Sequence, residues 1–447
     1  MGIKGLLPVL KPVEKAIVIN EYAGQCVAVD GNGWLYRGAY GCAYDLAQGL
    51  QTTSHVKFFL HLVKMLLYNN VTPIIVFDGQ RLPIKKPVHD LRKKNRDVNY
   101  EKGVQFHEAK KSSQAEKYFR RAINITPDMV DKVIEELDKI NVRHIVAPFE
   151  ADSQMTYMFQ KNQVQAVITE DSDLIVFGCS KVFYKLDRHG EGRQIVYDDI
   201  FQQSELGMGT FNREMFRYMC ILAGCDYISS ITDGNLKNAR CIARKSRTFN
   251  GIIRYFEYVM PKEADAYLKK FSKANAAFLY QFVFDIETQT YVRLNPLPED
   301  IKVDDLVGLG DSPQNHDIPI LQSNKARYID PKLCNHLEKD ANQLESYLKK
   351  YEIPPEPRKR PNWQTTDVVA TELHPENFIF NDTKAYPIKV PPASKDRVKT
   401  EHANNDIAHP PQRLTNLDEW KLMYGEGLRP KRKNESENQH NRKFRKI

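Results

Sequence analysis

Residues 26–39 read CVAVDGNGWLYRGA, an unbroken apolar run that ends in Asp30 and continues into a helix-like segment. A short run of apolar and β-branched residues predicts a strand that is buried on both faces of a sheet. Further runs predict strands at residues 73–78, 144–147, 166–169 and 174–177. Strands alternate with helices over the first 230 residues. This alternation predicts an α/β fold with a mostly parallel sheet flanked by helices.

Helices are predicted where apolar residues recur at a spacing of about 3.6. They lie at residues 33–48 and 54–69, with Ser54 as N-cap of the second, and a third begins at Pro127 after the N-cap Thr126. From residue 207 to 290 the pattern is wholly helical and includes NAAFLYQFVFDIE. One more polar helix is expected within residues 330–352. Residues 353–447, rich in Pro, Asn, Lys and Glu, are expected to be largely disordered.

The composition excludes several classes of protein. Of the 447 residues, 41% are hydrophobic, which is ample for a buried core. No apolar run reaches the roughly 18 residues that a membrane span needs. The seven cysteines are dispersed without C-x-x-C spacing, which indicates reduced thiols in an intracellular protein and no disulfide framework or zinc site.

Positive charge is concentrated in two blocks of a chain whose net charge is +8. Residues 85–121 contain twelve Lys and Arg against five acids, and residues 429–447 contain eight against two. A basic block attracts phosphate backbones, although a charged helix face that only keeps a protein soluble is the common alternative.

Acidic residues follow the predicted strands at the point where each strand ends. They are Asp30, Asp78, Glu150, Asp152, Glu170, Asp171 and Asp173, and Asp226 follows the apolar helical segment MCILAGC. A single acid in such a place is usually a helix N-cap or a turn residue. The carboxyl ends of parallel strands meet at one edge of the sheet, however, so the whole set is expected to lie together there.

Clustered carboxylates repel one another unless cations lie between them. Oxygen ligands without His or Cys favour Mg²⁺ or Mn²⁺ over zinc. Two such ions about 4 Å apart can flank a phosphate that is being hydrolysed. Lys85, Arg92 and Arg96 follow the Asp78 strand at offsets of seven and four, and are predicted to share one helix face beside the acids. A solvated basic face is the alternative.

Six motifs resemble, in order and spacing, those of the flap-endonuclease (XPG-type) family of 5′ nucleases. They are MGIKGLLP, VAVDGNGWLYRGA, PIIVFDGQRLPIKK, VAPFEADSQMTYM, ITEDSDLIVFG and ILAGCDY. The resemblance covers residues 1–295, and VAPFEADSQ, EDSDLIVFGC and FLYQFVFD are most similar to the exonuclease 1 branch. It implies a PIN-like core with a helical arch and a helical duplex-binding region.

The resemblance also implies a division of the chain. The regions are an N-terminal nuclease region (1–99), the continuation of a basic helical arch (100–125), an internal nuclease region (126–230), a duplex-binding region (231–295), a wrapping segment with a polar helix (296–352) and a disordered basic tail (353–447).

Roles for single residues follow from the same resemblance. It implies seven metal ligands for two Mg²⁺ ions, for which Mn²⁺ can substitute: Asp30, Asp78, Glu150, Asp152, Asp171, Asp173 and Asp226. Glu170 is then a neighbour and not a ligand. Lys85 and Arg92 are implied as catalytic contacts to phosphate, and Gly2, Tyr36 and Arg96 as substrate-binding residues.

Two departures from the family pattern stand out. The positions of Asn32 and Tyr36 usually carry Tyr and His that stack near the reacting nucleotide, and Asn32 cannot stack. The phosphate-binding turn after GCDY usually reads G-x-G, but here Asp233 and Asn235 replace the glycines, and Ala223 replaces a residue of a monovalent-cation site. These changes predict a weaker grip on duplex and little dependence on K⁺.

The implied activity is a 5′→3′ double-stranded DNA exonuclease with 5′ flap endonuclease activity, acting in mismatch repair and recombination. The expected partners are double-stranded DNA with 5′ ends, nicks or flaps, and mismatch-repair proteins, with no membrane and a monomeric chain. Alternatives are a structure-specific flap or junction endonuclease, a non-catalytic DNA-binding scaffold, and an exoribonuclease. The clusters RPKRK and RKFRK within residues 429–446 resemble a bipartite import signal and predict the nucleus, with a non-specific DNA-binding tail as the alternative.

Overall fold

The computed structural model describes residues 2–313. The polar helix at 330–352, the disordered tail and the import signal lie outside the described residues. Within residues 2–313 no helix is long and apolar enough to cross a bilayer.

A seven-stranded sheet organises the described residues, in the order β1-β7-β6-β5-β2-β3-β4. Its strands are β1 (Lys15–Val18), β2 (Cys26–Asp30), β3 (Thr72–Phe77), β4 (His144–Val146), β5 (Ala166–Ile168), β6 (Lys181–Tyr184) and β7 (Glu191–Val196). The strands β4, β3, β2, β5 and β6 run parallel, and β7 is antiparallel to both β6 and β1. The prediction of a mostly parallel sheet is confirmed.

The central parallel strands β2, β3 and β5 are buried on both faces because helices cover both sides of the sheet. In β2 the side chains of Val27 and Val29 join one core, whereas Ala28 joins the other. This alternation follows from the two-residue period of a strand. It explains why the strands read as unbroken apolar runs, since neither face is in contact with water.

The helices follow in chain order. They are α1 (Leu6–Leu10), α2 (Gly31–Gly41), α3 (Ala43–Ala47), α4 (Ser54–Tyr68), α5 (Lys86–Glu108), α6 (Ser112–Arg121), α7 (Pro127–Lys139), α8 (Ala151–Gln160), α9 (Asp173–Phe177), α10 (Asp199–Gln202), α11 (Arg213–Ala223), α12 (Leu236–Ser246), α13 (Phe249–Val259), α14 (Ala264–Leu279) and α15 (Val303–Leu306). The last two strands, β8 (Phe282–Asp285) and β9 (Thr290–Arg293), form a separate antiparallel pair.

The basic block at 85–121 forms a helical hairpin of α5 and α6, which pack against each other through their few apolar residues. Phe119 of α6 is buried against α5, where Gly103 has no side chain, and a Cβ there would lie 2.5 Å from the Phe119 ring. Close approach of the two helices therefore depends on Gly103. The remaining surface of the pair is mostly charged, with Leu91, Val98 and Tyr100 of α5 also exposed.

Four local predictions were wrong. Residues 174–177 form helix α9 and not a strand, because a fully buried apolar run of four or five residues has no period that separates the two. The segment NAAFLYQFVFDIE is not one helix, since α14 ends at Leu279 and β8 begins at Phe282. The N-cap of α4 is Thr53 and not Ser54.

The fourth correction concerns Lys85, which was predicted to share a helix with Arg92 and Arg96. It ends a short 3-10 helix, Pro83–Lys85, and precedes α5 as its N-cap. Pro87 at the start of α5 lacks an N–H group and suits the first turn of the new helix. By contrast, Thr126 is the N-cap of α7 and Pro127 its first residue, as predicted.

Candidate active site

The predicted acids are brought together at one edge of the sheet. Strands β5, β2, β3 and β4 are neighbours and parallel, so their carboxyl ends open on the same side. A cleft with about 580 Å³ of water-accessible space lies there. Six of the seven predicted ligands line it: Asp30, Asp78, Glu150, Asp152, Asp171 and Asp226. Asp173 is 1% exposed, and its backbone N–H donates to Asp171 Oδ1 at 3.0 Å.

Asp30 is fixed at the end of the central strand β2. Its Oδ1 accepts from the N–H of Gly33 at 2.8 Å, which caps helix α2. Its Oδ2 accepts from the Thr169 hydroxyl at 2.9 Å. The same hydroxyl oxygen accepts from the N–H of Asp171 at 3.0 Å, so Thr169 joins the ends of β2 and β5.

Asp78 is held by two contacts beyond the end of β3. Its Oδ1 accepts from the N–H of Ala151, the first residue of α8, at 2.9 Å. Its Oδ2 accepts from Asn32 Nδ2 at 2.8 Å, and Asn32 Oδ1 accepts from the Asp78 N–H at 3.3 Å. Asn32, which departs from the expected family pattern, therefore orients an acid.

The two predicted catalytic cations contact Glu150 and Asp226: Lys85 contacts both acids, and Arg92 contacts Asp226. Lys85 is 7% exposed and pairs with Glu150 Oε1, and its Nζ lies 3.2 Å from Asp226 Oδ2. Arg92 Nη2 donates to Asp226 Oδ1 at 2.6 Å. A second set of donors reaches Glu150 Oε2, from the Tyr227 hydroxyl at 2.5 Å and from Gln281 Nε2 at 2.7 Å.

The N-terminal segment lies against the turn that carries Asp171 and Asp173. The Ile3 N–H donates to Ser172 Oγ at 2.9 Å. A Cβ at Gly2 would lie 2.3 Å from both Asp171 Oδ1 and Ser172 Oγ, and Gly2 has a φ of +87°. Only glycine fits at this position, which places the chain start beside the acids, as the sequence resemblance implies.

Tyr36 and Arg96 lie outside the lining of the cleft. Tyr36 belongs to α2 and Arg96 to α5, and the two interact electrostatically. Burial raises the pKa of Tyr36 to about 12, so it stays a neutral phenol. Glu170 points to Arg37, at 3.5 Å, and accepts from the Lys185 N–H at 3.1 Å, in keeping with a neighbour that is not a ligand.

The acids carry the electrostatic signature of crowded negative charge. Burial raises the pKa of Asp30 to about 6. Enclosure by the walls of the cleft, together with Asp30 and Glu150, raises the pKa of Asp78 to about 7, although water reaches this side chain. Burial, and then the charge of Asp171, raises the pKa of Asp152 and of Asp173 well above the usual range.

Asp226 is the exception among the acids. Burial alone would raise the pKa of Asp226, but Lys85 and Arg92 hold this pKa well below its usual range. Burial in turn favours a neutral Lys85, yet Glu150 and Asp226 raise the pKa of its ammonium well above the ordinary value. One side of the cleft is thus neutralised by cations from the protein, whereas Asp30, Asp78, Asp152 and Asp173 are not.

Comparison with known proteins identifies the family. Residues 1–99 match the model of the XPG N-terminal domain and residues 141–226 that of the XPG I-region. The chain is 34% identical over 304 residues to the DNA damage-inducible protein DIN7 of Saccharomyces cerevisiae, which covers 67% of this chain and 70% of that protein. This chain belongs to the XPG family. All seven acids fall within the two matched segments.

The similarity to exonuclease 1 proteins confirms the resemblance read from the motifs. Identity to exonuclease 1 of Xenopus laevis is 40% over 317 residues, which is 68% of this chain and 42% of that protein. The chain spans about two fifths of the length of the exonuclease 1 relatives that it matches. The solved catalytic core of Rad2 in complex with DNA substrate overlaps with a TM-score of 0.44 at 20% identity, over 64% of this chain and 82% of that one.

The XPG family implies divalent cations, and the donor set fits them. Six carboxylates line the cleft, and carboxylate oxygens are the ligands that Mg²⁺ and Mn²⁺ prefer. Two histidines, His89 and His144, also line it, but His144 faces Asp138, which is not one of the predicted ligands. Asp173 Oδ1 is buried without a hydrogen-bond partner among the described residues, as expected of an atom that awaits a cation. As the side chains of residues 2–313 stand, no three acids close around a single ion position. Lys85 and Arg92 instead hold Glu150 and Asp226.

In the altered turn between α11 and α12, side chains of the turn accept hydrogen bonds from its own backbone N–H groups. Ser230 Oγ accepts from the N–H groups of Thr232 at 3.0 Å and Gly234 at 2.7 Å. Asn235 Oδ1 caps α12 by accepting from Lys237 and Asn238 N–H groups at 3.0 and 3.2 Å. The backbone donors that a G-x-G turn would offer to a phosphate are therefore already occupied, and exposed Asp233 adds a negative charge beside them.

The same turn covers the carbonyl group at the end of α11. The hydroxyls of Ser230 and Thr232 lie 3.5 and 3.4 Å from the Leu222 oxygen and can donate to it. Asp233 adopts a φ of +51°, a conformation that Asp tolerates better than most residues. The carbonyl oxygen at the end of α11 is thus within reach of hydroxyl donors from its own turn.

Several functional residues carried too weak a signal in the sequence. Tyr227 and Gln281 contact Glu150 from segments that are remote in the chain, and Thr169 and Asn32 act through short polar side chains that are common in turns. All four residues stood in quoted motifs, but only Asn32 was singled out there, as a departure from the family pattern. The contact of Gln281 with an acid 131 residues away could be found only from the fold.

The electrostatics predict that Asp30→Asn stabilises the protein in the absence of divalent cations. Asp30 is 7% exposed and its pKa rises from 3.8 to about 6, so the folded state holds its proton more tightly than the unfolded chain does. The free energy of unfolding therefore falls as the pH rises from about 4 to about 6. The amide keeps an acceptor for Gly33 but carries no charge.

We expect the variant in EDTA near pH 8 to be more stable by about 1–3 kcal/mol, with a smaller difference near pH 4.5. Urea unfolding at both pH values measures this. Mg²⁺ should raise the unfolding midpoint of the wild type more than that of the variant. A variant less stable than the wild type near pH 8 in EDTA would contradict the electrostatic interpretation.

Proposed function

We propose that this chain is a metal-dependent 5′→3′ exonuclease of double-stranded DNA that also cleaves 5′ flaps. The observation that supports it most directly is the convergence of six acids in one cleft, with Asp173 adjacent, beside Lys85 and Arg92 at one edge of the sheet. The similarity to exonuclease 1 proteins supports the direction and the substrate.

Two Mg²⁺ ions, or Mn²⁺ in their place, would be held by the seven acids. Bound there, such ions activate a water molecule and stabilise the leaving oxygen of a phosphodiester. The chain supplies the surroundings. Lys85 and Arg92 place positive charge where the phosphate gains negative charge during hydrolysis. Gly2 has no side chain that would collide with Asp171 and Ser172, so the N-terminal segment can lie beside the acids, where it is proposed to contact the substrate. Tyr36 of α2 and Arg96 of α5 are proposed to contact the DNA strand further from the acids.

A flap or junction endonuclease with little exonuclease activity is the second candidate. The self-capped turn before α12 favours it, because a weak grip on duplex shortens runs of successive cleavage. A scaffold without catalysis is less consistent with the sequence, since a decaying site should have lost at least one acid. A comparison of a recessed 5′ end, a 5′ flap and a four-way junction as substrates separates the two enzymes.

The biological setting is also a proposal. Mismatch repair and recombination, with mismatch-repair proteins as partners, follow from the similarity to exonuclease 1. A monomer is proposed for the active form. A nuclear location is supported by the two basic clusters within residues 429–446.

Product analysis tests the proposed activity. We expect Mg²⁺-dependent release of mononucleotides from a 5′-labelled duplex, and of a short oligonucleotide from a 5′ flap. Asp173→Ala should abolish both while DNA binding in Ca²⁺ stays within a few-fold, because affinity comes mainly from Lys and Arg contacts to phosphate. Substantial Mg²⁺-dependent cleavage by purified Asp173→Ala protein would refute the metal assignment.

Arg92→Ala should slow the chemical step far more than it weakens binding. A cation aimed at the reacting phosphate acts mainly in the transition state, and its loss typically slows the reaction by about 100-fold or more. Single-turnover rates at saturating enzyme measure this, with exposed Lys94→Ala on the same helix as the matched control. An unchanged rate with poorer affinity would make Arg92 an ordinary phosphate contact.

The turn predicts a gain of affinity when its glycines are restored. Asp233→Gly with Asn235→Gly removes a negative charge and frees the N–H groups of Lys237 and Asn238. An N-cap Asn→Gly change costs only a few tenths of a kcal/mol, so the fold should survive. We expect tighter duplex binding in Ca²⁺, and a single-turnover rate at saturation that hardly changes.

Asp233→Asn, which removes the charge but frees no backbone donor, is the matched control. If the double variant binds duplex no better than this control, the backbone of the turn does not contact phosphate. Titration with K⁺ should have little effect on the wild type.

A further inference from the structure

Gln281 is a completely buried amide that reaches the active site from the far end of the described chain. It lies between α14 and β8 and is 0% exposed. Its Nε2 donates to Glu150 Oε2 at 2.7 Å and to the Tyr227 hydroxyl oxygen at 2.9 Å. The Tyr227 hydroxyl in turn donates to the same oxygen of Glu150 at 2.5 Å. These three side chains form a closed triangle.

The orientation of the Gln281 amide follows from the charge that it faces. The opposite orientation would place Oε1 against the carboxylate of Glu150, so Nε2 must be the group in contact. As a result Oε1 is buried without a hydrogen-bond partner among the described residues. A buried, unsatisfied acceptor is unfavourable, and an apolar side chain would avoid it. The N–H donor at this position therefore has a purpose beyond filling space.

Attachment of the β8 segment does not require Gln281. The side chain of a second buried glutamine, Gln154 of α8, already binds the backbone of this segment. Its Nε2 donates to the Phe284 carbonyl oxygen at 2.8 Å and its Oε1 accepts from the Phe284 N–H at 2.7 Å. The side chain of Gln281 therefore bonds to Glu150 and not to the β8 backbone. Gln154 provides a matched comparison at the same junction.

The two oxygens of Glu150 have different surroundings. Oε2 is held by two neutral donors, Tyr227 and Gln281, and Oε1 faces the Lys85 ammonium. Lys85 Nζ also lies 5.0 Å from the centre of the Tyr227 ring, which itself packs edge-on against Phe278 of α14. Rotation of the Glu150 side chain would therefore also disturb Lys85, which is proposed to contact phosphate.

We propose that Gln281 is a positioning residue of the active site, which acts through Glu150. By fixing Oε2 it presents Oε1 in one orientation toward Lys85 and toward the cations that the acids would hold. It also ties the α14–β8 junction of the helical region to the acids. The inference rests on the proposed function for its role in catalysis, but the contact itself does not.

The test compares Gln281→Met with Gln154→Met in the full chain. Methionine keeps most of the volume of glutamine and removes its donor and acceptor. Partners of metal ligands typically change metal affinity or activity by 10–100-fold when they are removed. We expect Gln281→Met to raise the Mg²⁺ concentration for half-maximal cleavage about 10-fold, and to weaken Ca²⁺ binding in calorimetry to a similar extent. Gln154→Met should lower the thermal midpoint and leave both metal readouts unchanged.

Tyr227→Phe provides a second variant, since it removes the other donor to Glu150 Oε2 with little change of shape. It should shift both metal readouts in the same direction as Gln281→Met. The double variant should then be less impaired than the product of the two single effects, because both act through Glu150.

Two results would overturn the inference. One is that Gln281→Met and Gln154→Met have the same effects on stability and on metal binding, which would make Gln281 a structural residue. The other is unchanged Ca²⁺ binding and Mg²⁺ dependence in both Gln281→Met and Tyr227→Phe. Absence of cleavage by the wild type would instead refute the proposed function, and calorimetry would still decide the role of Gln281.

Discussion

Mutual repulsion among the acids at the carboxyl ends of four parallel strands is the constraint on which the site depends. Two unit charges about 4 Å apart repel by roughly 4 kcal/mol at an effective dielectric of 20. The sheet nevertheless holds the acids together, because its backbone hydrogen bonds and its two apolar cores fix the strand ends. Burial is the main cause of the raised pKa values of Asp30, Asp78, Asp152 and Asp173, and the charges of neighbouring acids add to it. The acids that are proposed to bind cations are therefore also groups that destabilise the fold when no cation is bound.

The rest of the site can be understood as a response to that repulsion. On one side Lys85 and Arg92 neutralise Asp226 and reach Glu150. On the other, neutral donors such as Thr169 and Asn32 fix the orientation of Asp30 and Asp78 but leave their charge in place. We propose that the uncompensated side attracts divalent cations and that Lys85 and Arg92, on the neutralised side, contact the phosphate of the substrate.

Sequence reasoning identified the sheet and the acids because both leave local patterns. The run CVAVD is a strand in any context that buries both faces, and an acid at its end lies at the sheet edge. It failed where the outcome depends on tertiary contacts. Residues 174–177 are apolar and fully buried, so no period in the sequence distinguishes a strand from helix α9. The segment FVFD becomes a strand because it pairs with Thr290–Arg293, which no local period indicates.

The two departures from the family pattern have opposite consequences, for a common reason. A polar side chain that replaces a ring or a glycine must find a hydrogen-bond partner nearby. Asn32 finds Asp78, so the change stiffens the site. Asn235 finds the N–H groups of Lys237 and Asn238, and Ser230 those of Thr232 and Gly234, so this change withdraws backbone donors from any ligand. The acids and the turn before α12 are carried by separate elements, the sheet edge and the α11–α12 connection, so a substitution in one leaves the hydrogen bonds of the other in place. We propose that the rate of hydrolysis and the affinity for duplex can therefore vary independently in this chain.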